Sequence, residues 1–207
     1  MQIKYPVLFL FIITLFAACN HKFNRIKEMN DDYNEFKDKI PSKLLNNFPQ
    51  TIKGNNTFID VRYPEALKHN VSYCGVFITT KLTDSSFYVE YNKSINNNSF
   101  VGLVNDSQIV KIKVKSDSVY FSKYKDVFSK NRIYLVPDFN EKYSPLYGDS
   151  LSNDTKTIII DTGKGEFLQK EFLGNYNFFP SEFKHGYTKG ITFDKKNLKM
   201  IYWIIIW

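Results

Sequence analysis

Two cysteines, Cys19 and Cys74, are the residues of this chain whose chemistry is most readily defined. A thiol can accept a lipid, form a disulfide, bind a metal or act as a nucleophile, and its surroundings decide among these. Cys19 follows a basic start, an apolar stretch over residues 5–15 and two alanines. This order is typical of a secretory signal with a cysteine at its cleavage point. We therefore expect residues 1–18 to be a signal peptide that is removed.

Three other interpretations of the apolar run over residues 5–18 fit less well. A transmembrane helix needs about 20 apolar residues, whereas this run is shorter and contains Pro6. A helix of the folded domain would not be apolar on all faces at the extreme terminus. An ordinary secretory signal cut after Ala18 fits almost as well, and Cys19 decides against it.

Residues 15–19, Leu-Phe-Ala-Ala-Cys, resemble the lipobox of bacterial lipoproteins. The resemblance covers only the first 19 residues. It implies that a prelipoprotein peptidase cuts before Cys19, that the thiol receives a diacylglyceryl group and that the new amino terminus is acylated. Such chains anchor a protein stably, at about 0.8 kcal/mol per buried CH₂. The implied partner is a lipid bilayer, bound through acylated Cys19.

The residues after the cysteine bear on sorting within the same family. Asn20 is not the Asp that retains many such lipoproteins in the inner membrane, and residues 21–25 lack the acidic groups of some surface-export signals. The resemblance therefore implies the periplasmic face of the outer membrane.

The mature chain is expected to be mildly basic and to form one domain. Loss of residues 1–18 removes Lys4 and leaves 27 Lys and Arg against 21 Asp and Glu. The lysines are spread without a dense block, so we expect solvated faces and no nucleic-acid partner. An aromatic content of 17% supplies a core. We predict a lipidated tether over residues 19–22 and a single domain over residues 23–207.

Catalytic groups are not indicated by the remaining pattern. Cys74 lies in an apolar run, which predicts a small buried side chain and not a nucleophile. The carboxylates are too scattered to nominate a glycosidase pair. The glycines at residues 163–166 lack the spacing of a phosphate loop, so we predict a hairpin turn there.

Metal and cofactor sites are not indicated either. Asp31 and Asp32 are adjacent on a predicted helix, face different directions and have no third ligand in view. The histidines are far apart in sequence and lack the spacing of zinc ligands; they are His21, His69 and His185. We expect no metal and no cofactor.

The elements that must position these groups begin with an amphipathic helix. Apolar residues recur at steps of three and four over residues 23–40, and Pro41 ends the pattern. A short second helix is predicted over residues 42–47. Later segments are rich in β-branched and aromatic residues and are separated by polar turns, which predicts strands. These lie at 58–63, 71–82, 87–91, 100–104, 109–114, 118–121, 132–136, 157–160, 188–193 and 200–207.

Short polar clusters at residues 83–85, 96–98, 105–107 and 194–197 predict hairpin turns and hence antiparallel pairing. The expected fold class is α+β, with the N-terminal helix packed on a mainly antiparallel sheet, a sandwich or a small barrel.

Two segments stand out within this pattern. Residues 137–154 are polar and turn-rich, and the predicted loop offers a binding surface through Tyr143, Leu146 and Tyr147. Residues 200–207 are apolar on both faces, which favours a buried strand that closes the domain. Their alternation toward Trp207 also resembles the terminal signal of outer-membrane barrel strands.

These observations favour a membrane-anchored, non-catalytic module that binds or supports an envelope protein or glycan. Two alternatives stay open at this point. One is a lipid-anchored envelope hydrolase, and the other is a small outer-membrane β-barrel.

Overall fold

A computed structural model describes the chain at residues 24–54, 56–69, 71–97, 102–103, 109–115, 133–139, 151–152, 155–173 and 179–207. The helices are α1 over residues 24–39 and α2 at Asp84–Asn97. The strands are β1 Thr57–Arg62, β2 Cys74–Lys81, β3 Gly102–Leu103, β4 Ile109–Ile112, β5 Tyr134–Pro137, β6 Thr155–Lys164, β7 Gly186–Asp194 and β8 Lys199–Ile206. The predicted α+β class is confirmed.

The strands form one antiparallel sheet and one small parallel pair among the described residues. The sheet has the order β1-β2-β8-β7-β6-β3, and β4 pairs with β5 in parallel. The C-terminal strand β8 thus lies between β2 and β7. A central strand covered on both faces needs no polar side, which explains its unbroken apolar run. The predicted buried strand at the C-terminus is confirmed.

Helix α1 packs by the face that its sequence pattern predicts. Met29, Tyr33, Phe36 and Ile40 are buried in the main core. Asn30 of α1 binds the backbone of Ile52 through two hydrogen bonds. Its side-chain amide donates to the Ile52 carbonyl at 3.1 Å, and its side-chain oxygen accepts the Ile52 N–H at 2.8 Å. The amphipathic period therefore predicted both the helix and the side that is buried.

The two faces of the sheet are covered differently. Phe48 contacts Tyr202 of β8 on the face of the helices, with ring centroids 6.0 Å apart. On the other face, Phe139 after β5 packs against Phe77 of β2 and Trp203 of β8. Neighbouring residues of β8 thus contribute to the core on opposite sides.

Helix α2 corrects the prediction of a strand at residues 87–91 and of a turn at residues 83–85. Thr83 begins the helix, because its hydroxyl accepts the Ser86 N–H at 3.4 Å and its own N–H donates to the Ser86 hydroxyl at 3.0 Å. This reciprocal arrangement is a variant of the capping box. Phe87 and Tyr91, one turn apart, both pack edge-on against Phe193. Helical spacing lets both rings pack on Phe193, and this packing outweighs the preference of Phe and Tyr for strands.

The predicted hairpin at residues 163–166 is also wrong. Strand β6 continues to Lys164, and β7 begins only at Gly186. Gly165 has a φ of 117° and starts this long connection, its N–H donating to the His185 carbonyl at 3.0 Å. The short helix predicted over residues 42–47 is confirmed as a 3-10 helix at Ser42–Leu45.

The turn at residues 194–197 is confirmed as the connection between β7 and β8. The Asp194 carboxylate accepts the side-chain amide of Asn197 at 2.7 Å and the hydroxyl of Ser152 at 2.6 Å. The predicted strand at 118–121 and the turn at 105–107 lie outside the described residues. Within the described ranges, no helix has the length and apolarity to cross a bilayer.

Candidate functional site

The residues assigned to lipidation and binding from the sequence lie outside the described ranges. These are Cys19 for lipidation and Tyr143, Leu146 and Tyr147 for binding. Their roles stay predictions.

Cys74 occupies a fully buried position on β2, opposite Ile206 of β8. Burial raises the pKa of its thiol far above the ordinary value. Because the thiolate is the nucleophilic form, burial disfavours a nucleophilic role for Cys74. The prediction of a small buried residue is confirmed.

Among the described residues, no group of three or more His, Cys, Asp and Glu side chains is arranged to hold a metal ion. The adjacent Asp31 and Asp32 are both exposed on α1.

A cleft of about 120 Å³ lies between α2 and the sheet. Ile160 of β6 and Ile191 of β7 supply its apolar floor. Helix α2 contributes residues at helical positions i, i+3 and i+4, which share one face of the helix. The remaining lining residues are Asn47, Glu90, Lys93, Ser94 and Tyr202.

The cleft joins this apolar floor to a polar rim of both charges. Tyr202 is partly buried, and its pKa is raised by burial and then by the negative charge of Glu90. Its phenol therefore stays protonated and can donate a hydrogen bond. Lys93 supplies a cation one helical turn from Glu90. The rim can thus bind a hydrogen-bond donor, a hydrogen-bond acceptor or a charged group of either sign.

A charged cluster lies next to the cleft on the same sheet face. Lys189 precedes Ile191 by two residues on β7, and Asp161 follows Ile160 on β6. The Lys189 Nζ lies 3.6 Å from the Asp161 Oδ2, and the Tyr187 hydroxyl donates to that oxygen at 2.8 Å. The Lys189 side chain is only 5% exposed, whereas that of Asp161 is 47% exposed.

The electrostatics of this cluster follow from its burial. Burial lowers the pKa of Lys189, and Asp161 opposes that change. The pKa of Tyr187 is raised to about 12, by burial first and by its bond to Asp161 second. The three groups satisfy one another, and the exposed carboxylate brings negative charge to the surface beside the cleft.

Sequence reasoning missed the cleft because it assigned part of α2 to a strand. The Thr83 and Ser86 pair is the signal that could have located the helix, and with it the shared face of Glu90, Lys93 and Ser94. Asp161 and Lys189 are 28 residues apart in the chain. Only strand pairing brings them together, and no local pattern marks them.

Comparison of the chain with protein-family models, curated proteins and solved structures finds no match.

Proposed function

We propose that the mature chain is a lipid-anchored protein of a bacterial envelope, held at the periplasmic face of the outer membrane, whose domain is a non-catalytic binding module. The observation that carries the proposal is the sequence Leu-Phe-Ala-Ala-Cys at residues 15–19, which resembles a lipobox. Helix α1 starts at residue 24, and Met29 is its first buried hydrophobic residue. Cleavage before Cys19 would leave residues 19–23 between the lipid and the described part of α1.

The chemistry of the described residues supports binding over catalysis. The Cys74 thiol is buried, and burial raises its pKa and disfavours the thiolate. Asp161 is engaged by Lys189 and Tyr187. A carboxylate that is paired with a buried cation contributes mainly to the stability of the fold, since a catalytic role that removed it from the pair would leave the buried cation without its counter-charge.

The size of the cleft indicates the kind of partner. Its volume is about 120 Å³, against roughly 300–1,000 Å³ for sites of drug-sized ligands. The cleft fits one side chain of a larger partner. Because its rim carries Glu90, Lys93 and the Tyr202 phenol, we propose that it receives a polar side chain from another envelope protein.

Lipidation is tested by matched cysteine variants expressed in a bacterium that has an outer membrane. Cys19→Ala is expected to accumulate as unprocessed precursor without acyl label, whereas Cys74→Ala is processed and acylated like the parent chain. Mass spectrometry of the N-terminal peptide and separation of the two membranes are the measurements. Normal processing of Cys19→Ala would overturn the proposed anchor.

The binding role of the cleft is tested by a photo-crosslinking amino acid placed at Lys93, with Lys184 as the control. Both positions are exposed, and Lys184 lies beyond the start of β7, away from the cleft. A discrete protein adduct is expected from position 93 and not from position 184. Identical patterns from both positions, or no adduct from either, would overturn this role.

A further inference from the structure

Strand β1 forms one edge of the main sheet, where it pairs with β2 alone. The carbonyl of Asn56, directly before β1, accepts the Lys81 N–H at 2.9 Å. Hydrogen-bonded and non-hydrogen-bonded pairs alternate along an antiparallel ladder. The register therefore places the N–H and C=O groups of Ile59 and Val61 on the side of β1 that faces away from β2. The described part of the chain provides no hydrogen-bond partner for these groups.

The outer side of β1 lacks two features that commonly block a free edge. Lysine and proline often prevent a foreign strand from pairing there, and Thr57–Arg62 contains neither. Ile59 and Val61 are partly buried and pack against the main core, whereas Phe58 on the opposite face is 49% exposed. The edge therefore offers both backbone hydrogen bonds and apolar contacts to an added strand.

The charged residues of β1 are an acid and a base two positions apart, on the same face of the sheet. The Asp60 Oδ2 lies 3.9 Å from the Arg62 Nη2 and accepts no hydrogen bond in the described part of the chain. Burial raises the pKa of the Asp60 carboxyl, and the charge of Arg62 opposes this change. The Asp60 side chain is nevertheless 41% exposed. Its carboxylate thus has one cation nearby and an open side on which a second cation can approach.

Two copies of β1 are complementary in charge when they pair antiparallel about Val61. In that register the two Val61 residues bond to each other through their outward N–H and C=O groups, and Asp60 of each copy lies opposite Arg62 of the other. The acid and the base then form a non-hydrogen-bonded pair, in which side chains are closest. A register about Asp60 would oppose the two carboxylates, and one about Ile59 would place Asp60 opposite Phe58. Charge therefore selects the register about Val61.

Helix α1 adds complementary charges beside β1. Near the start of β1, the Arg25 guanidinium lies over the Phe58 ring at 4.5 Å. Just after the end of β1, the Tyr63 hydroxyl donates to the Glu35 Oε2 at 3.2 Å, and the Glu35 side chain is 55% exposed. Antiparallel pairing places the start of one β1 beside the end of the other. Arg25 of each copy would therefore approach Glu35 of the other.

We infer that a second copy of this chain pairs with the outer edge of β1, antiparallel and centred on Val61, so that one continuous sheet runs through both copies. Such an interface is isologous, since each contact occurs twice about the symmetry axis. Pairing also removes an edge that would otherwise be open to other strands. Self-association requires neither the proposed lipid anchor nor the proposed role of the cleft, so it stands or fails independently of both.

The mass of the unlipidated chain in solution tests self-association. The chain from residue 19 with Cys19→Ser contains every residue that the structure describes and carries no acyl group. Sedimentation equilibrium is expected to show a mass that rises with concentration from one copy to two. A monomeric mass at about 1 mM protein, where even a millimolar dissociation constant would be detected, would overturn the inference.

Charge reversal tests the register in the same chain. Asp60→Lys and Arg62→Glu each replace two attractive pairs by two repulsive ones, so each variant alone is expected to dimerise at least about tenfold more weakly. A mixture of the two variants is expected to dimerise again, because the new lysine then faces the new glutamate and the remaining Arg62 faces the remaining Asp60. A mixture no more dimeric than its separate components would contradict the register.

The matched control is Glu166→Lys, which makes the charge change of Asp60→Lys at an exposed position between β6 and β7. It should leave the dissociation constant unchanged, and an equal loss in this control would show that net charge alone governs association and overturn the inference. Circular dichroism verifies that each variant folds.

Val61→Pro tests the edge without a change of charge. Proline removes an N–H that points away from β2, and edge strands tolerate proline in this orientation. The folded variant is therefore expected to stay monomeric. A dimer as stable as that of the parent chain would refute pairing through β1.

Photo-crosslinking of the full chain in cells identifies the occupant of the edge. The reactive residue replaces Phe58, and Val89 on α2 is the exposed apolar control. Position 58 lies opposite Pro64 of the second copy in the register about Val61. An adduct of two copies joined near Pro64 is expected from position 58 and not from position 89. An adduct of position 58 with a different protein alone would assign the edge to a foreign strand and overturn self-pairing.

Discussion

Replacement of Trp207 by alanine is expected to remove a large part of the stability of the domain. The indole is 3% exposed, stacks on Phe179 and donates from Nε1 to the Phe183 carbonyl at 2.8 Å. It also covers Gly186, where an added Cβ would lie 2.8 Å from the indole Cζ2. Truncation of a buried Trp to Ala costs about 3–5 kcal/mol, and domains of this size have about 5–15 kcal/mol in all. We expect a loss of about 3–5 kcal/mol in the free energy of unfolding.

Urea unfolding measures this loss by circular dichroism and by the fluorescence of Trp203, which is buried and remains in the variant. Trp207→Phe separates packing from hydrogen bonding, since it keeps a ring on Phe179 but removes the Nε1 donor to the Phe183 carbonyl, at about 0.5–1.5 kcal/mol. Tyr88→Ala is the exposed aromatic control and should change stability by about 0.5 kcal/mol or less. A Trp207→Ala variant as stable as this control would refute the buried position of the C-terminus.

Three further changes probe other parts of the domain. Gly190→Ala should destabilise it by about 1–3 kcal/mol in thermal unfolding, because the new Cβ would lie 2.5 Å from the Ile158 carbonyl oxygen and 2.6 Å from Trp203. Asp161→Asn should cost about 1–3 kcal/mol by leaving buried Lys189 without its counter-charge, whereas Lys189→Met should be near neutral; equal losses in urea unfolding would contradict a charge pair. Burial raises the pKa of Tyr33 to about 12, so the folded state holds this proton more tightly than the unfolded state. Its contribution is complete below pH about 10 and is lost as pH rises toward about 12, by up to about 3 kcal/mol. Tyr33→Phe should flatten that decline in denaturant titrations at alkaline pH, and an unchanged slope would refute the assignment.

Local patterns predicted the elements whose neighbours in sequence are also their partners in structure. Helix α1 was predicted at 23–40 and spans 24–39, because its apolar period of three and four residues is visible along the chain. The hairpin at residues 194–197 was predicted for the same reason, since its turn residues satisfy their own backbone.

Other elements depend on contacts that no local pattern shows. Phe87 and Tyr91 suit a strand by composition and become helical because both pack on Phe193, more than 100 residues later. The parallel pairing of β4 and β5 is the exception in a mainly antiparallel fold, and it joins two strands separated by residues 113–133. Strand order is a property of the whole chain.

The sequence by itself determined that residues 15–19 form a lipobox-like pattern, that α1 is amphipathic and that the C-terminal run is apolar on both faces. These properties belong to consecutive residues, and periodicity or composition expresses them directly. Only the tertiary structure decided that this run lies in the centre of the sheet, that Lys189 is paired with Asp161, and that Glu90 and Lys93 line one cleft. The physical reason is that antiparallel pairing joins distant segments by backbone hydrogen bonds. The side chains that it brings together are far apart in the sequence, and no local pattern links them.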